Sequence, residues 1–377
     1  MPEIYLPLPA PWPRDLDAVA ALVTHDLAAA PAAAVAACVR RGGSLRFALG
    51  AAGRLAPGGA PTGPETVFDL ASVTKPFLAL TAARLHRRSP LLRRPLGELL
   101  EEARGTPSEY VPLELFLAHR AGLEGHRPLY APLLRGEPVD RSAALREAAL
   151  ARCDSCEGEP PPEGFPPVYS DLGYLLVGEA LARLEAAPLS ALFHREVIEF
   201  CGGTLLDARQ IHERGAAEVT APTEQADFRG GVVRAAVHDE NAWALGGLGA
   251  CGHAGLFGDA PSVVRLGLLV LDALAGRAPA WLSPEDLAPL LRPRPGGTLR
   301  AGFDGKSEVG SSAGALFSPS SFGHLGFTGT SLWIDPERQL VAALLSNRVH
   351  PTRAATAEAM KQARPLVHDA LARWADG

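Results

Sequence analysis

Ser72 and Lys75 are the two residues whose types and spacing point most directly to chemistry. They lie three positions apart in the run VFDLASVTKPFLALTAARL, so a helix would place both on one face. Such a pair also arises by chance on solvated helix faces, but here apolar residues surround it: Phe68, Leu70, Val73, Phe77, Leu78 and Leu80. Burial disfavours an ammonium ion, so we expect Lys75 to act as a base that takes the proton of the Ser72 hydroxyl.

Two further segments contain polar groups suited to the same chemistry. The first is Tyr169-Ser170-Asp171, in PPVYSDLGYLL, and the second is His324-Leu325-Gly326, in FGHLGFTGTS. A phenol can serve as a second acid and base if its pKa is lowered, and a cationic Lys75 close by would lower it. The alternative for Tyr169 is a core tyrosine that makes one hydrogen bond.

In this order the three segments resemble penicillin-binding proteins, class C β-lactamases and related serine esterases and amidases. The resemblance runs from about residue 17 to 370. It includes LFLAHRAGL, and also VHDENAWALGG and GHAGLFG, which are similar to a subgroup of cell-wall amidases and carboxypeptidases. The resemblance implies an acyl-enzyme on Ser72, activated by Lys75 and Tyr169, and an oxyanion site between the backbone N–H groups of Ser72 and Phe327.

The chain departs from the penicillin-recognising members at three positions. Asp171 stands where they usually carry Asn, His324 replaces a Lys, and Leu325 replaces a Thr next to Gly326. A cation and a hydroxyl are natural partners of a β-lactam carboxylate, so we expect β-lactams to be poor substrates. Asp171 could hold Lys75 charged, accept a hydrogen bond from substrate, or cap a helix. His324 could contact a substrate carboxylate or amide, or bond only across a strand edge.

Polar residues among glycines mark a further candidate segment that could approach a ligand. They are His238, Asp239, Asn241 and His253. Turn capping by Asp239 and Asn241 is an equally good interpretation. A metal held by His238, Asp239 and His253 is a third, but serine and lysine chemistry needs no metal, and we predict neither metal nor cofactor.

Composition limits the class of protein. The 377 residues are 47% hydrophobic, with 36 basic and 42 acidic residues and a net charge of -6. Dense basic tracts are absent from the sequence, which argues against a nucleic-acid partner. The Pro-interrupted first 17 residues do not resemble a signal peptide, and no uninterrupted apolar run is long enough for a membrane span, so we expect a cytoplasmic location. Five scattered cysteines suit a reducing compartment, and Cys153 and Cys156 lack the second pair of a zinc site.

The pattern along the chain predicts an α+β fold. Apolar runs on either side of short turns predict hairpins over 32–53 and 330–347, which we expect to share one antiparallel sheet flanked by terminal helices near 16–30 and 351–376. An all-helical subdomain is expected over 86–254, with 1–85 and 255–377 forming a discontinuous sheet subdomain. The active-site cleft is expected between the two.

We therefore predict a metal-independent serine hydrolase that cleaves a small ester or amide, such as a cell-wall-derived muropeptide. One alternative is a D-alanyl-D-alanine carboxypeptidase or weak β-lactamase. The other is a non-catalytic ligand-binding descendant, against which the presence of Ser72, Lys75 and Tyr169 together argues.

Overall fold

A six-stranded antiparallel sheet, with strand order β2-β1-β11-β10-β9-β8, is the centre of the computed structural model, which describes residues 12–377. Two further sheets are small, with orders β3-β7-β4 and β5-β6. The strands are β1 Ala32–Arg41, β2 Ser44–Gly53, β3 Phe68–Asp69, β4 Leu205–Leu206, β5 Gln225–Ala226, β6 Gly231–Val232, β7 Phe257–Gly258, β8 Asp304–Gly305, β9 Phe322–Leu325, β10 Ser331–Asp335 and β11 Leu340–Ser346.

Both predicted hairpins are confirmed, and they share the large sheet. Strand β1 pairs with β2 through a turn in which Gly42 and Gly43 adopt positive φ, and it pairs with β11 on its other side. In the second hairpin, β10 pairs with β11, and β9 then adds at the far edge of β10 with Leu332 opposite His324. The pairing therefore brings the His324 strand into the same sheet as both ends of the chain.

Helices cover both faces of this sheet. The helices of the described residues are α1 Asp17–Ala21, α2 Thr74–His86, α3 Leu96–Leu99, α4 Leu113–Leu117, α5 Arg141–Leu150, α6 Asp171–Leu184, α7 Leu189–Phe193, α8 Glu199–Cys201, α9 Ala208–Glu213, α10 Glu240–Gly246, α11 Ala260–Leu274, α12 Pro284–Leu291 and α13 Ala357–Asp376. Of these, α1 and α13 pack on one face of the sheet and α11 packs on the other. Single π-helical turns extend α1 over Leu22–Asp26 and α7 over His194–Ile198.

The two-residue period of β1 divides the core between the faces. Ala33, Val35 and Ala37 pack into the smaller apolar cluster, which also contains α1 and α13 residues, whereas Ala34 and Ala36 face the larger one. The flanking terminal helices are thus confirmed. The C-terminal helix begins at Ala357 rather than near residue 351, because residues 347–356 first form a loop, in which the Arg348 N–H bonds to the Thr328 carbonyl and Arg353 pairs with Glu224.

The segment predicted as a helical insertion is mainly helical, and it also contains the short strands β4, β5 and β6. Helix α2 runs into it and is buried on nearly all sides, which explains why its sequence is apolar all round. The subdomain boundaries at 85/86 and 254/255 stay predictions, and residues 1–11 of the first subdomain lie outside the described residues.

Candidate active site

Ser72 and Lys75 meet at the start of α2, as their spacing predicted. Ser72 lies in a 3-10 turn, Ala71–Val73, that leads directly into the helix, and Lys75 lies in the first helical turn. The Lys75 Nζ is 2.9 Å from the Ser72 Oγ, and the lysine side chain is completely buried. The hydroxyl and the amine are therefore already in hydrogen-bond contact.

The backbone just before Ser72 is strained. Ala71 has a φ of +47°, in the left-handed region that residues with a Cβ rarely adopt, and such strain is concentrated at functional sites. The buried carboxylate of Asp69 holds this turn, because its Oδ1 accepts the Ala71 N–H at 2.8 Å and its Oδ2 accepts the His238 N–H at 2.8 Å. Asp69 thus ties the Ser72 turn to the loop that contains His238.

The same turn is clamped from the side of the sheet. The hydroxyls of Thr328 and Thr330 donate to the Asp69 and Leu70 carbonyls at 2.7 and 2.9 Å. The backbone of Gly326 lies so close to Thr330 that a Cβ on Gly326 would be 1.9 Å from the Thr330 Oγ1, which explains the glycine at this position. These contacts fix the strand end against Ser72.

Asp171 makes Lys75 more basic than the sequence indicated. The Lys75 Nζ lies 2.6 Å from the Asp171 Oδ1 and 3.5 Å from the His253 carbonyl. Burial lowers the pKa of Lys75, as we expected, but Asp171 and Tyr169 together raise it by more, so the pKa lies above its ordinary value. The raised pKa favours the ammonium form of Lys75 at rest, in line with the alternative in which Asp171 holds Lys75 charged.

Tyr169 also differs from the expectation. Its ring lies below the Lys75 Nζ, 4.7 Å from the ring centroid, and stacks on His119 with centroids 4.5 Å apart. Burial and Asp171 together raise the pKa of Tyr169 by more than Lys75 and Ser72 lower it, so the pKa lies above its ordinary value. Because 39% of the residue is exposed to the pocket, water makes this rise smaller than full burial would. Since the pKa is raised and not lowered, the phenol is protonated at rest.

His119, from the segment LFLAHRAGL, positions this tyrosine. Its Nδ1 accepts the Ser170 N–H at 2.9 Å, and its backbone φ is +60°. Ser170 in turn caps α6 by accepting the Gly173 N–H, so that Asp171 becomes the first residue of that helix. The segment thus fixes Tyr169 and Asp171 from beneath.

These groups open onto a pocket of about 440 Å³. Its wall contains eight of the residues that the sequence singled out: Ser72, Tyr169, Asp171, His238, Asp239, Leu325, Gly326 and Phe327. Lys75, His324, Asn241 and His253 are buried behind the wall. Within residues 12–377, the backbone N–H groups of Ser72 and Phe327 have no acceptor, which leaves both free to bind an oxyanion.

His324 is a neutral side chain. Burial, and secondarily Lys75, lower the pKa of His324 to about 3. Its Nδ1 bonds to the Leu325 carbonyl at 2.8 Å, so its hydrogen bond stays on the strand edge. His324 therefore supplies no positive charge to an anionic ligand.

The loop before α10 is held by its own polar residues. Asp239 caps α10 through the Ala242 N–H, and its Oδ1 lies 2.8 Å from the His253 Nε2. Burial raises the pKa of Asp239, but His253, the Ala242 N–H and Lys75 together lower it by more, so this carboxylate is ionised. Asn241 bonds to the backbone of Arg127 and Tyr130, and its amide is not brought to the pocket.

His238 is the exception in this loop. Its side chain is 96% buried in the wall, its ring stacks on Phe327, and its Nε2 has no hydrogen-bond partner in the part of the chain described. Residues 12–377 contain no group of three or more His, Cys, Asp or Glu side chains arranged to hold a metal ion.

Three arginines in the wall were not found from the sequence. Arg348 and Arg353 belong to the loop after β11, and Arg364 belongs to α13. Arg353 pairs with Glu224 and Glu240, whereas Arg348 and Arg364 have no carboxylate within 4.0 Å among the described residues. The predicted pairing of β10 with β11 could have indicated Arg348, since a residue that directly follows β11 lies next to the turn between β9 and β10.

A central antiparallel sheet with helices packed on it, and a serine and a lysine at the start of a buried helix, are the features of penicillin-binding proteins and β-lactamases. Solved structures of this fold match nearly the whole chain. EstCE1, "a hydrolase with promiscuous acyltransferase activity", superposes with a TM-score of 0.66 at 19% identity, covering 93% of this chain and 97% of that one. A penicillin-binding protein homologue from Caulobacter crescentus gives 0.65 at 19%, covering 96% and 98%, and a class C β-lactamase from Rhodobacter sphaeroides gives 0.62 at 16%, covering 94% and 98%.

The chain belongs to the Beta-lactamase family, whose model matches residues 19–364. A "Putative D-alanyl-D-alanine carboxypeptidase" of Salmonella agona is 27% identical over 198 residues, and one of Salmonella gallinarum is 28% identical. Each match spans 48% of this chain and 45% of the relative, so less than half of these relatives' length is covered. None of the helices within residues 12–377 is both long and apolar enough to cross a membrane.

Proposed function

We propose that this protein hydrolyses a small ester or amide through an acyl-enzyme on Ser72. The observation that carries the proposal is the 2.9 Å contact between the Lys75 Nζ and the Ser72 Oγ in the wall of the pocket. Two free N–H groups, of Ser72 and Phe327, would receive the charge that develops on the carbonyl oxygen. Turnover of an ester panel, compared between the wild type and Ser72→Ala, tests the proposal.

The protonation states assign different roles to the three polar groups. Lys75 must lose one proton before it can take that of Ser72, and the Asp171 carboxylate at 2.6 Å is the nearest acceptor. Ser72 then attacks the carbonyl as its proton moves to Lys75. The protonated phenol of Tyr169 is suited to protonate the leaving group, and Lys75 then returns the Ser72 proton to the phenolate, so that both groups share one proton path. In the second half-reaction Tyr169 takes a proton from the attacking water, and the path runs in reverse to the Ser72 oxygen.

Asp171→Asn is expected to move the ascending limb of the kcat/KM profile to lower pH. The carboxylate raises the pKa of Lys75, so its removal lowers that pKa, and the active unprotonated amine appears at lower pH. A limb that stays in place or moves to higher pH would contradict the role of Asp171. Asp154→Asn, in an exposed loop, is the matched control.

We further propose that the preferred substrates carry a carboxylate, which Arg348 binds. This guanidinium is only 7% exposed, lies 4.6 Å above the Phe327 ring, and has no carboxylate partner among residues 12–377. A buried cation without a counter-ion is costly, and a bound anion would remove that cost. Arg348 would thus replace the lysine and threonine that other members carry at the positions of His324 and Leu325.

Arg348→Gln should lower kcat/KM for a carboxylate-bearing ester by roughly 10-fold or more, the loss of one charge-assisted hydrogen bond. The matched neutral ester should change by no more than about threefold, since it makes no ion pair. Arg135→Gln removes the same charge at an exposed site and is the control. Equal losses for both esters would mean that Arg348 does not recognise the anion.

β-Lactams are expected to be poor substrates, because neither neutral His324 nor Leu325 can bind their carboxylate. Lowering the pH from 7 to 5 should not help, since the pKa of His324 is about 3 and the imidazole stays neutral over this range. The double variant His324→Lys, Leu325→Thr should acylate with penicillin roughly 10-fold faster or more. Efficient nitrocefin turnover by the wild type would overturn this prediction.

A D-alanyl-D-alanine carboxypeptidase is the second candidate function. The printed names of the Salmonella relatives favour it, and its substrate ends in a carboxylate of the kind that Arg348 could bind. Release of D-alanine from a diacetylated tripeptide ending in D-alanyl-D-alanine, at a rate above that for neutral esters, would select this candidate.

A further inference from the structure

Arg364 contacts the peptide group that contains one of the two proposed oxyanion donors. Its Nη2 donates to the Gly326 carbonyl at 2.7 Å and to the Thr330 carbonyl at 3.2 Å. The Gly326 carbonyl and the Phe327 N–H belong to the same peptide plane. In a trans peptide these two groups point in opposite directions, so a donor that holds the carbonyl also sets the direction of the N–H.

Two groups hold this carbonyl, the Arg364 guanidinium at 2.7 Å and the Gly329 N–H at 3.1 Å, and Arg364 is its one charged donor among the described residues. The Gly326 N–H bonds to the Thr330 carbonyl at 2.8 Å, which closes the turn after β9. Phe327 itself is 48% exposed, so packing of its ring does not lock the peptide. Arg364 approaches from α13, outside the turn, and within residues 12–377 it has no carboxylate partner that would compete for its guanidinium.

We infer that Arg364 is a positioning residue that orients and polarises the Gly326–Phe327 peptide, so that the Phe327 N–H binds the oxyanion. A cation on the carbonyl makes the N–H of the same peptide a stronger donor, since hydrogen bonds in series polarise one another. Burial, with Arg348 nearby, lowers the pKa of Arg364 to about 10, which leaves it cationic at neutral pH. This inference rests on the proposed function, because it assigns a task within that reaction.

The test uses Arg364→Gln with a neutral ester, p-nitrophenyl butyrate, so that recognition of a substrate anion plays no part. We expect kcat to fall roughly 10- to 100-fold, somewhat less than the loss of a whole oxyanion donor. KM should stay within about threefold, because the oxyanion forms only in the transition state. The affinity for phenylboronic acid, whose serine adduct is tetrahedral, should fall by the same factor as kcat.

Two further variants separate positioning from structural support. Arg364→Lys keeps a cationic donor and should recover at least about threefold of the lost kcat, even if the Gln variant folds poorly. Arg338→Gln is the matched control. Arg338, like Arg364, donates to a backbone carbonyl, but its acceptor is Ala372 of α13 at 3.1 Å, away from the pocket. The thermal stability of this control variant should fall without a loss of kcat.

The outcomes distinguish this inference from the proposed function. If boron NMR shows the tetrahedral adduct in the wild type, and Arg364→Gln keeps its kcat and boronate affinity or changes only KM, the positioning role is overturned. If the wild type forms no adduct and turns over no ester, the proposed function is overturned, and this inference with it.

Discussion

Lys75→Ala and Tyr169→Phe are each expected to lower kcat on the order of 10³-fold or more, and the double variant should lose little beyond either single variant. The reason is that both groups act on one proton path. The Lys75 ammonium contacts the Ser72 hydroxyl, and the Tyr169 ring lies directly beneath it. Removing either group leaves the other without its partner. Steady-state kinetics on one activated ester measures all three variants.

The controls for this comparison of single and double variants lie on the surface. Lys361→Ala removes an exposed lysine of α13, and Tyr110→Phe changes a tyrosine that is 70% exposed. Neither should change kcat by more than about twofold. Losses that simply multiply in the double variant would mean that Lys75 and Tyr169 act independently, which contradicts a shared path.

Ser72→Ala is expected to lower kcat by on the order of 10⁴-fold or more, because it removes the oxygen that we propose forms the covalent intermediate. Residual hydrolysis would come from the pocket and its free N–H groups, which can still polarise a bound carbonyl. Substrate binding should persist, since Oγ is one small group in the wall of a large pocket. Turnover and product binding, measured on the same preparation, separate the two effects.

Ser155→Ala, in an exposed loop, is the control for that measurement and should behave as the wild type. If Ser72→Ala retained a substantial part of kcat, hydrolysis would not depend on this serine, and the arrangement around α2 would have another purpose.

The fold could be predicted because its signals are local. Two hairpins are encoded by apolar runs around short turns, and the alternation along β1 determines which side chains enter each core cluster. The predicted start of the C-terminal helix was several residues too early, because the alanine-rich pattern begins within a loop that bonds to the turn between β9 and β10. Helix boundaries depend on such tertiary contacts more than on propensity.

The candidate site could be predicted in part. The Ser72 and Lys75 contact follows from helical spacing, but the pKa directions of Lys75 and Tyr169 do not, because they depend on a carboxylate 96 residues from Lys75 in the chain. Arg348 and Arg364 were missed for the same reason. Their approach to the strand end depends on how the loop after β11 and helix α13 pack, which no local pattern specifies.

The covalent attachment site of a fluorophosphonate decides whether Ser72 is the nucleophile. The protein is incubated with the reagent, its intact mass is measured, and the modified peptide is mapped by fragmentation. We predict a single adduct on Ser72 that forms in step with the loss of ester hydrolysis, and that does not form in Ser72→Ala. An adduct on another residue, or full inactivation of the protein with Ser72 unmodified, would contradict the acyl-enzyme mechanism.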